Sequence, residues 1–413
     1  MKQTYSSLGK FLLVAVSALC AFPAMQAQTL KVHCGQVSTA FSAADTGDMI
    51  FAEGGTRLTI QGITFAVADI DSITTSQAEV QPLSVDVNYA ADGKARVQVS
   101  ADVAQMLSIT ASAADVRVLG ADGLQQEVSY TLHGTSTDGS FYMDGPYKST
   151  LTLDNLNLSS QHGAAIQIDC GKRIDVNIPE GTTTTLADAA GGTHKACFFI
   201  NGHAEFKGAG TLNIAGATKH AYASDEYTWL KPSFGTFNVT AAVSDGMHIE
   251  QYFRMDGGTV RISGTQGDCI DVGITKDPTD ELNGQALVNA GTLQLTVNAD
   301  DTKGLKTDSL CTIAGGTLAV DVNGDGAKGL SAGTDLLVSQ KTSTPTRIKM
   351  NVAGTTYHKD EPDEAKCRGI KVQGQFTFDG GDINMTVTGK KAKGIVVGSY
   401  KYVSGTTNVV PET

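Results

Sequence analysis

One arrangement limits the fold of this chain more than any other: a small residue followed by a second short or apolar one recurs nine times between residues 164 and 396. It reads AAI at Ala164, ACF at Ala196, AYA at Ala221, GMH at Gly246, CID at Cys269, GLK at Gly304, GLS at Gly329, GIK at Gly369 and GIV at Gly394. Successive spacings are 32, 25, 25, 23, 35, 25, 40 and 25 residues, and the longest contain polar insertions around Pro278 and Pro362. A second marker, Gly-Gly-Thr or a variant, lies between anchors in GAGTLNI, GGTVRI, AGTLQL, GGTLAV and GGDINM. A unit this short cannot bury an apolar face alone, so its copies must stack into a solenoid. No segment shows the 3.6-residue apolar period that a helical repeat needs, and the leucine scaffold of a leucine-rich repeat is absent. The remaining reading is all-β, a right-handed parallel β-helix with coils of about 25 residues.

In such a solenoid equivalent positions stack about 4.8 Å apart. The anchor glycine is then expected to supply a corner conformation that other residues avoid, and the aliphatic residue behind it to form a core rung. The residue before each anchor from the second onward is Lys195, His220, Asp245, Asp268, Lys303, Lys328, Arg368 and Lys393, which predicts one outward column. Stacked like charges repel, so its four consecutive cations require neighbouring acids, solvation or an anionic ligand. Two readings stay open. In one, the cations solvate a corner beside Asp301, Asp308 and Asp325. In the other, Lys303, Lys328, Arg368 and Lys393 meet the carboxylates of an acidic polysaccharide, with His220 in the same column and Tyr227 and Tyr252 stacking on sugar rings. Tyr147, Tyr222 and Phe253 are further stacking candidates, whereas the single tryptophan, Trp229, is expected to pack under a loop.

The acids suggest a metal. Asp245, Asp268 and Asp271, with Asp301 and Asp308 one coil later, are oxygen ligands that stacking would gather, and calcium takes six to eight oxygens. NGDGA lacks the DxDxDG order of a calcium loop, and aspartate at glycine turns is common without metal. Catalysis has less support. Neither GxSxG nor HExxH occurs, and no histidine has a fixed nucleophile partner. No catalytic residue is therefore assigned, with a uronate lyase using Arg368 or Lys393 as base, or an adhesin-like spacer, as alternatives.

The amino terminus reads as a signal peptide over residues 1–27: two lysines, the apolar run FLLVAVSALCAF, then PAMQAQ. That run is too short to span a bilayer of about 30 Å, so export to the surface, the periplasm or the medium is expected, without a membrane span. Residues 28–80, with the alternating TRLTIQGITFAVADIDSIT, are expected to form a small β unit. Residues 81–145 should lead into or cap the helix, and residues 146–413 should form it. A formal charge of −12 argues against nucleic acid as a partner. Cys34, Cys170, Cys197, Cys269, Cys311 and Cys367 show no CxxC spacing and are expected as buried, unpaired thiols.

The run GHAEFKGAGTLNIAGATKHAYASDEYTWL, then SDGMHIEQYFRMDGGTVRISGTQGDCIDVG, then TKGLKTD, AKGLSAG and KCRGIKV resembles the secreted carbohydrate-binding domain-containing proteins. The resemblance covers about residues 150–403 and rests on the order of several coils. It implies a pectate-lyase-like β-helix that binds calcium and acidic or plant-type polysaccharide without catalysis. Asp245, Asp268 and Asp271 are the positions that best fit its metal ligands.

Overall fold

The computed structural model describes residues 29–43, 47–341 and 343–411. The leader expected over residues 1–27 lies outside the described residues. From residue 128 onward each coil contributes a stretch of strand to each of three faces, in the last coils as one continuous strand, Arg368–Val387 or Lys393–Pro411. A representative coil runs Lys303–Thr307 on the first face, Cys311–Ile313 on the second and Gly316–Val322 on the third. The next coil repeats it with Lys328–Ala332, Leu336–Ser339 and Thr346–Val352, and all three pairings are parallel. Parallel crossovers wind right-handed in nearly all proteins.

Alternation along each short strand sends every second side chain inward, and parallel register stacks those side chains into rungs. On the first face one ladder runs Ile166, Phe198, Tyr222, Met247, Ile270, Leu305, Leu330 and Ile370. Every member is fully buried. Around Phe206 the larger rungs meet edge-on, with Phe198, Tyr222, Phe234 and Phe237 at centroid distances of 5.5–6.3 Å, the geometry favoured by aromatic quadrupoles. Cys170, Cys197, Cys269, Cys311 and Cys367 are buried and free, and Cys34 is half-buried and free. Burial pushes the Cys311 thiol up to about 12, so it packs as an apolar group.

The anchor glycines are explained by space, not by the corner conformation expected from the sequence. Gly304, Gly329 and Gly369 have ordinary φ. A Cβ on each would lie 2.5–2.7 Å from the carbonyl oxygen of the equivalent glycine one coil on. The turn conformation belongs instead to the Gly-Gly-Thr marker, where Gly258 and Gly316 have φ of +79° and +83°.

The helix also begins earlier than residue 146. Val128–Ser136 pairs in parallel with residues 149–158 of Ser149–Ser160, and Ser140–Asp144 pairs in parallel with Ile166–Ile168. These strands alternate like the preceding hairpins, and only their tertiary pairing distinguishes them. The hairpins Ser84–Tyr89/Ala95–Ser100 and Leu107–Ser112/Asp115–Gly120 cap this end, each through one parallel pairing onto the first coil. Ahead of them, Leu30, Val32, Phe41, Leu58 and Ile60 form a separate small core, joined to the cap by Val37–Ala40 beside Val97–Ser100.

If close approach is what selects glycine at the anchors, Gly329→Ala destabilises the protein by about 1–3 kcal/mol. Gly163→Ala, where a Cβ meets nothing within 4 Å, changes stability by less than about 0.5 kcal/mol. Chemical denaturation midpoints compare the two.

Candidate functional site

The first face presents two outward columns. The one expected from sequence is present from His220 onward, through Asp245, Asp268, Lys303, Lys328, Arg368 and Lys393. Lys195 falls outside it. The offset between those coils is 24 residues, so Ala196 pairs with His220, and the Lys195 ammonium bonds Asp225 instead. Three residues further along each strand, a second column runs Ala223, His248, Asp271, Lys306, Ser331 and Lys371. From the sequence, Asp271 is expected among the stacked oxygen ligands but not as part of a second column, and His248, Lys306 and Lys371 are not singled out. The signal was the outward position midway between the two inward residues of GMHI, CIDV and GLKT.

Where the acidic parts of the two columns meet, the groups form one network. Each first-column side chain accepts the backbone N–H of the next coil: His220 Nδ1 from Asp245 at 3.3 Å, Asp245 Oδ1 from Asp268 at 2.8 Å, and Asp268 Oδ1 from Lys303 at 2.8 Å. The second oxygen of Asp245 lies 3.1 Å from His220 Nδ1 and 3.3 Å from His248 Nδ1. Asp271 places Oδ2 3.0 Å from His248 Nδ1 and accepts Lys306 Nζ on Oδ1 at 2.8 Å. The two imidazoles stack with centroids 4.4 Å apart. His220 is buried, and burial lowers its pKa. Hydrogen bonds that His248 donates to Asp245 and then to Asp271 raise it to about 9. Burial acts to raise Asp245, but hydrogen bonds from His220 and His248 outweigh it and hold that carboxyl well below the usual range. Asp268 has no side-chain donor among the described residues, and burial lifts it to about 6.

The cations toward the carboxyl-terminal end differ in availability. Asp301, itself left-handed at φ +51°, accepts Lys328 Nζ on its carboxylate at 2.5 Å and Lys303 Nζ on its carbonyl at 2.6 Å. Lys328 is buried, and burial lowers its pKa. Arg368 is half-exposed and donates to the Cys367 carbonyl at 2.6 Å, while Lys371 and Lys393 are exposed. Asp308 lies 3.4 Å from Lys306.

The aromatic candidates separate in the same way. Tyr147, Tyr222 and Phe253 are core residues. Tyr227 and Tyr252 lie at the corner between the first and second faces and stack on each other at 4.7 Å, with His203 on the far side of Tyr227 at 4.5 Å. Their rings cover one another, and Tyr227 also donates to Glu205 at 2.9 Å. Trp229 has Arg254 over its ring at 4.3 Å and donates its indole N–H to Asp256 at 2.7 Å. A cavity of 720 Å³ opens beside the N-terminal unit, far along the chain from these columns. Its walls carry a satisfied pair, Arg96 and Asp92 at 2.5 Å.

The five carboxylates expected to hold calcium do not converge. Asp301 and Asp308 are engaged by lysines, and Asp245, Asp268 and Asp271 share their space with two imidazoles and the Lys306 ammonium. Calcium takes oxygen ligands, so this donor set does not fit it.

A solenoid of stacked parallel coils that presents a long polar surface on one face is the class defined by these features. The chain belongs to the carbohydrate-binding domain-containing protein family, whose sequence pattern matches residues 118–407. Among solved structures it is similar to the polysaccharide lyase-like protein from C. thermocellum (gadolinium derivative), at 19% identity and a TM-score of 0.44 over 62% of this chain and 97% of that one. No curated protein matches.

The raised pKa of His248 makes stability depend on pH. Its folded value of about 9 lies above the unfolded 6.5, so its contribution is complete below pH 6.5 and is lost as pH rises through 9. That contribution is at most about 3 kcal/mol. With chelator present, denaturation at pH 6 and pH 9.5 should show the loss in the unaltered chain and not in His248→Gln.

Proposed function

We propose that the protein is an exported, non-catalytic polysaccharide-binding protein and that it takes acidic, uronate-containing glycan. The observation that carries this reading is the crowding of cations at one end of one face. Lys303, Lys306, Lys328, Arg368, Lys371 and Lys393 occupy the two columns within four successive coils, in a chain whose formal charge is −12. Local acids neutralise Lys328 and engage Lys303 and Lys306. Arg368, Lys371 and Lys393 remain the cations best placed to meet carboxylates arriving from solvent. Family membership supports glycan as the ligand class, and the leader-like residues 1–27 support export.

Binding through exposed ammonium groups is worth about 0–1 kcal/mol per pair and is screened by salt. The double variant Lys371→Ala/Lys393→Ala should therefore bind polygalacturonate about tenfold more weakly in affinity electrophoresis, with little change toward a neutral glucan. Lys328→Met, which removes a cation already engaged by Asp301, should leave affinity within about twofold once folding is verified. Equal retention of the double variant and the unaltered chain would overturn the assignment. Incubation with polygalacturonate should produce no ultraviolet absorbance from unsaturated uronate; its appearance, with loss in Arg368→Ala, would make the protein a lyase.

A further inference from the structure

The arrangement of His220, Asp245 and His248 has no role in the glycan reading and was not expected from sequence. Both imidazoles direct Nδ1 at one atom, Asp245 Oδ2, at 3.1 and 3.3 Å. The three donor atoms lie within 4.8 Å of one another. A tetrahedral zinc site with arms of 2.0–2.1 Å has ligand-to-ligand edges of about 3.4 Å, close to both separations. The surroundings hold this set in place as outer groups hold metal ligands. The Asp268 N–H occupies Asp245 Oδ1 and leaves Oδ2 free to face the histidines. Lys306 occupies Asp271 Oδ1 and leaves its Oδ2 3.0 Å from His248.

Without a metal the arrangement contains a conflict. His220 Nδ1 lies 3.3 Å from the Asp245 N–H, which requires an acceptor, and 3.1 Å from Asp245 Oδ2, which requires a donor. One nitrogen cannot do both. A cation between Nδ1 and Oδ2 removes the mismatch between those two atoms, because both then act as electron-pair donors, and the Asp245 N–H gives up its long 3.3 Å bond to Nδ1. The buried position of His220, with 3% of its surface exposed, keeps that donor out of water's competition. Its stacked partner His248 has 29% of its side chain exposed, and its ring, 15° from parallel with that of His220, turns when both lone pairs meet one ion.

We propose that His220 Nδ1, Asp245 Oδ2 and His248 Nδ1 form a three-ligand site for a divalent first-row transition ion of the zinc class. Two nitrogens and one carboxylate oxygen suit such an ion and disfavour calcium. The fourth position lies on the His248 side, next to Asp271. This inference is independent of the glycan reading: the ion can bind where polygalacturonate does not, and the reverse.

Titration of the chelator-treated full chain with Co²⁺, then competition with Zn²⁺ and Ca²⁺, tests it. One equivalent of Co²⁺ should give visible d–d absorption of a four-coordinate N/O site, displaced by stoichiometric Zn²⁺ and not by a hundredfold excess of Ca²⁺. His248→Asn should weaken Co²⁺ binding by about tenfold or more while the metal-free variant still melts cooperatively. His358→Asn, in the exposed His358, Glu361 and Asp363 cluster, should not change it. The proposal is overturned by absence of Co²⁺ binding, by unchanged binding in His248→Asn, by loss only in His358→Asn, by a thiolate charge-transfer band from Cys34, or by displacement with equimolar Ca²⁺.

Discussion

Parallel register between successive coils is the constraint on which the rest of the structure depends. Each backbone strand bonds its equivalent one coil away, and the inward rungs and outward columns follow from that single repeat. It explains why Leu305, Leu330 and Ile370 form a continuous core ladder. It also explains why Lys303, Lys328, Arg368 and Lys393 are brought to strand spacing despite their mutual repulsion. The hydrogen bonds and buried apolar area of three faces outweigh the repulsion of one column, because exposed charges in water interact by about 1 kcal/mol or less.

The first task of the column's acids is structural. At the corner before the first face the backbone N–H groups of Asp268 and Lys303 turn outward, and the side chains of Asp245 and Asp268 in the coil before accept them. Buried backbone donors must find partners, and aspartate is short enough to reach one coil and no further. This use consumes one oxygen of each carboxylate and orients the other. Chemistry at this surface is therefore built from what these bonds leave over: the second oxygen of Asp245, the Asp271 oxygen that Lys306 does not take, and the imidazoles that face them.

Much of this was legible in the sequence, for reasons that can be named. The anchor spacing revealed the coil, since a core ladder requires an inward residue at the same phase in every turn. The column from His220 to Lys393 was legible because it sits beside those anchors. Lys195 was misassigned because one turn is a residue shorter than its neighbours, and a one-residue slip moves a side chain to a different column. The role of the anchor glycines was misread because a close approach between coils leaves no local mark that separates it from a turn. His248, Lys306 and Lys371 were missed because their column varies from imidazole to carboxylate to ammonium, so no repeated residue type marks it.

What the sequence by itself determined is the repeat: coil length, short strands, an apolar ladder and the class of solenoid these require. Periodic burial is a property of spacing, and spacing is visible along the chain. Only the tertiary structure decided which charges are free. Lys328, the cation in GDGAKGL, looks identical in sequence to Lys393 in KAKGIVV, yet Asp301 from the coil before buries and engages it, while Lys393 faces solvent. That difference depends on the reach of a side chain across coils 27 residues apart and on local burial, and neither is written in the residue or its immediate neighbours.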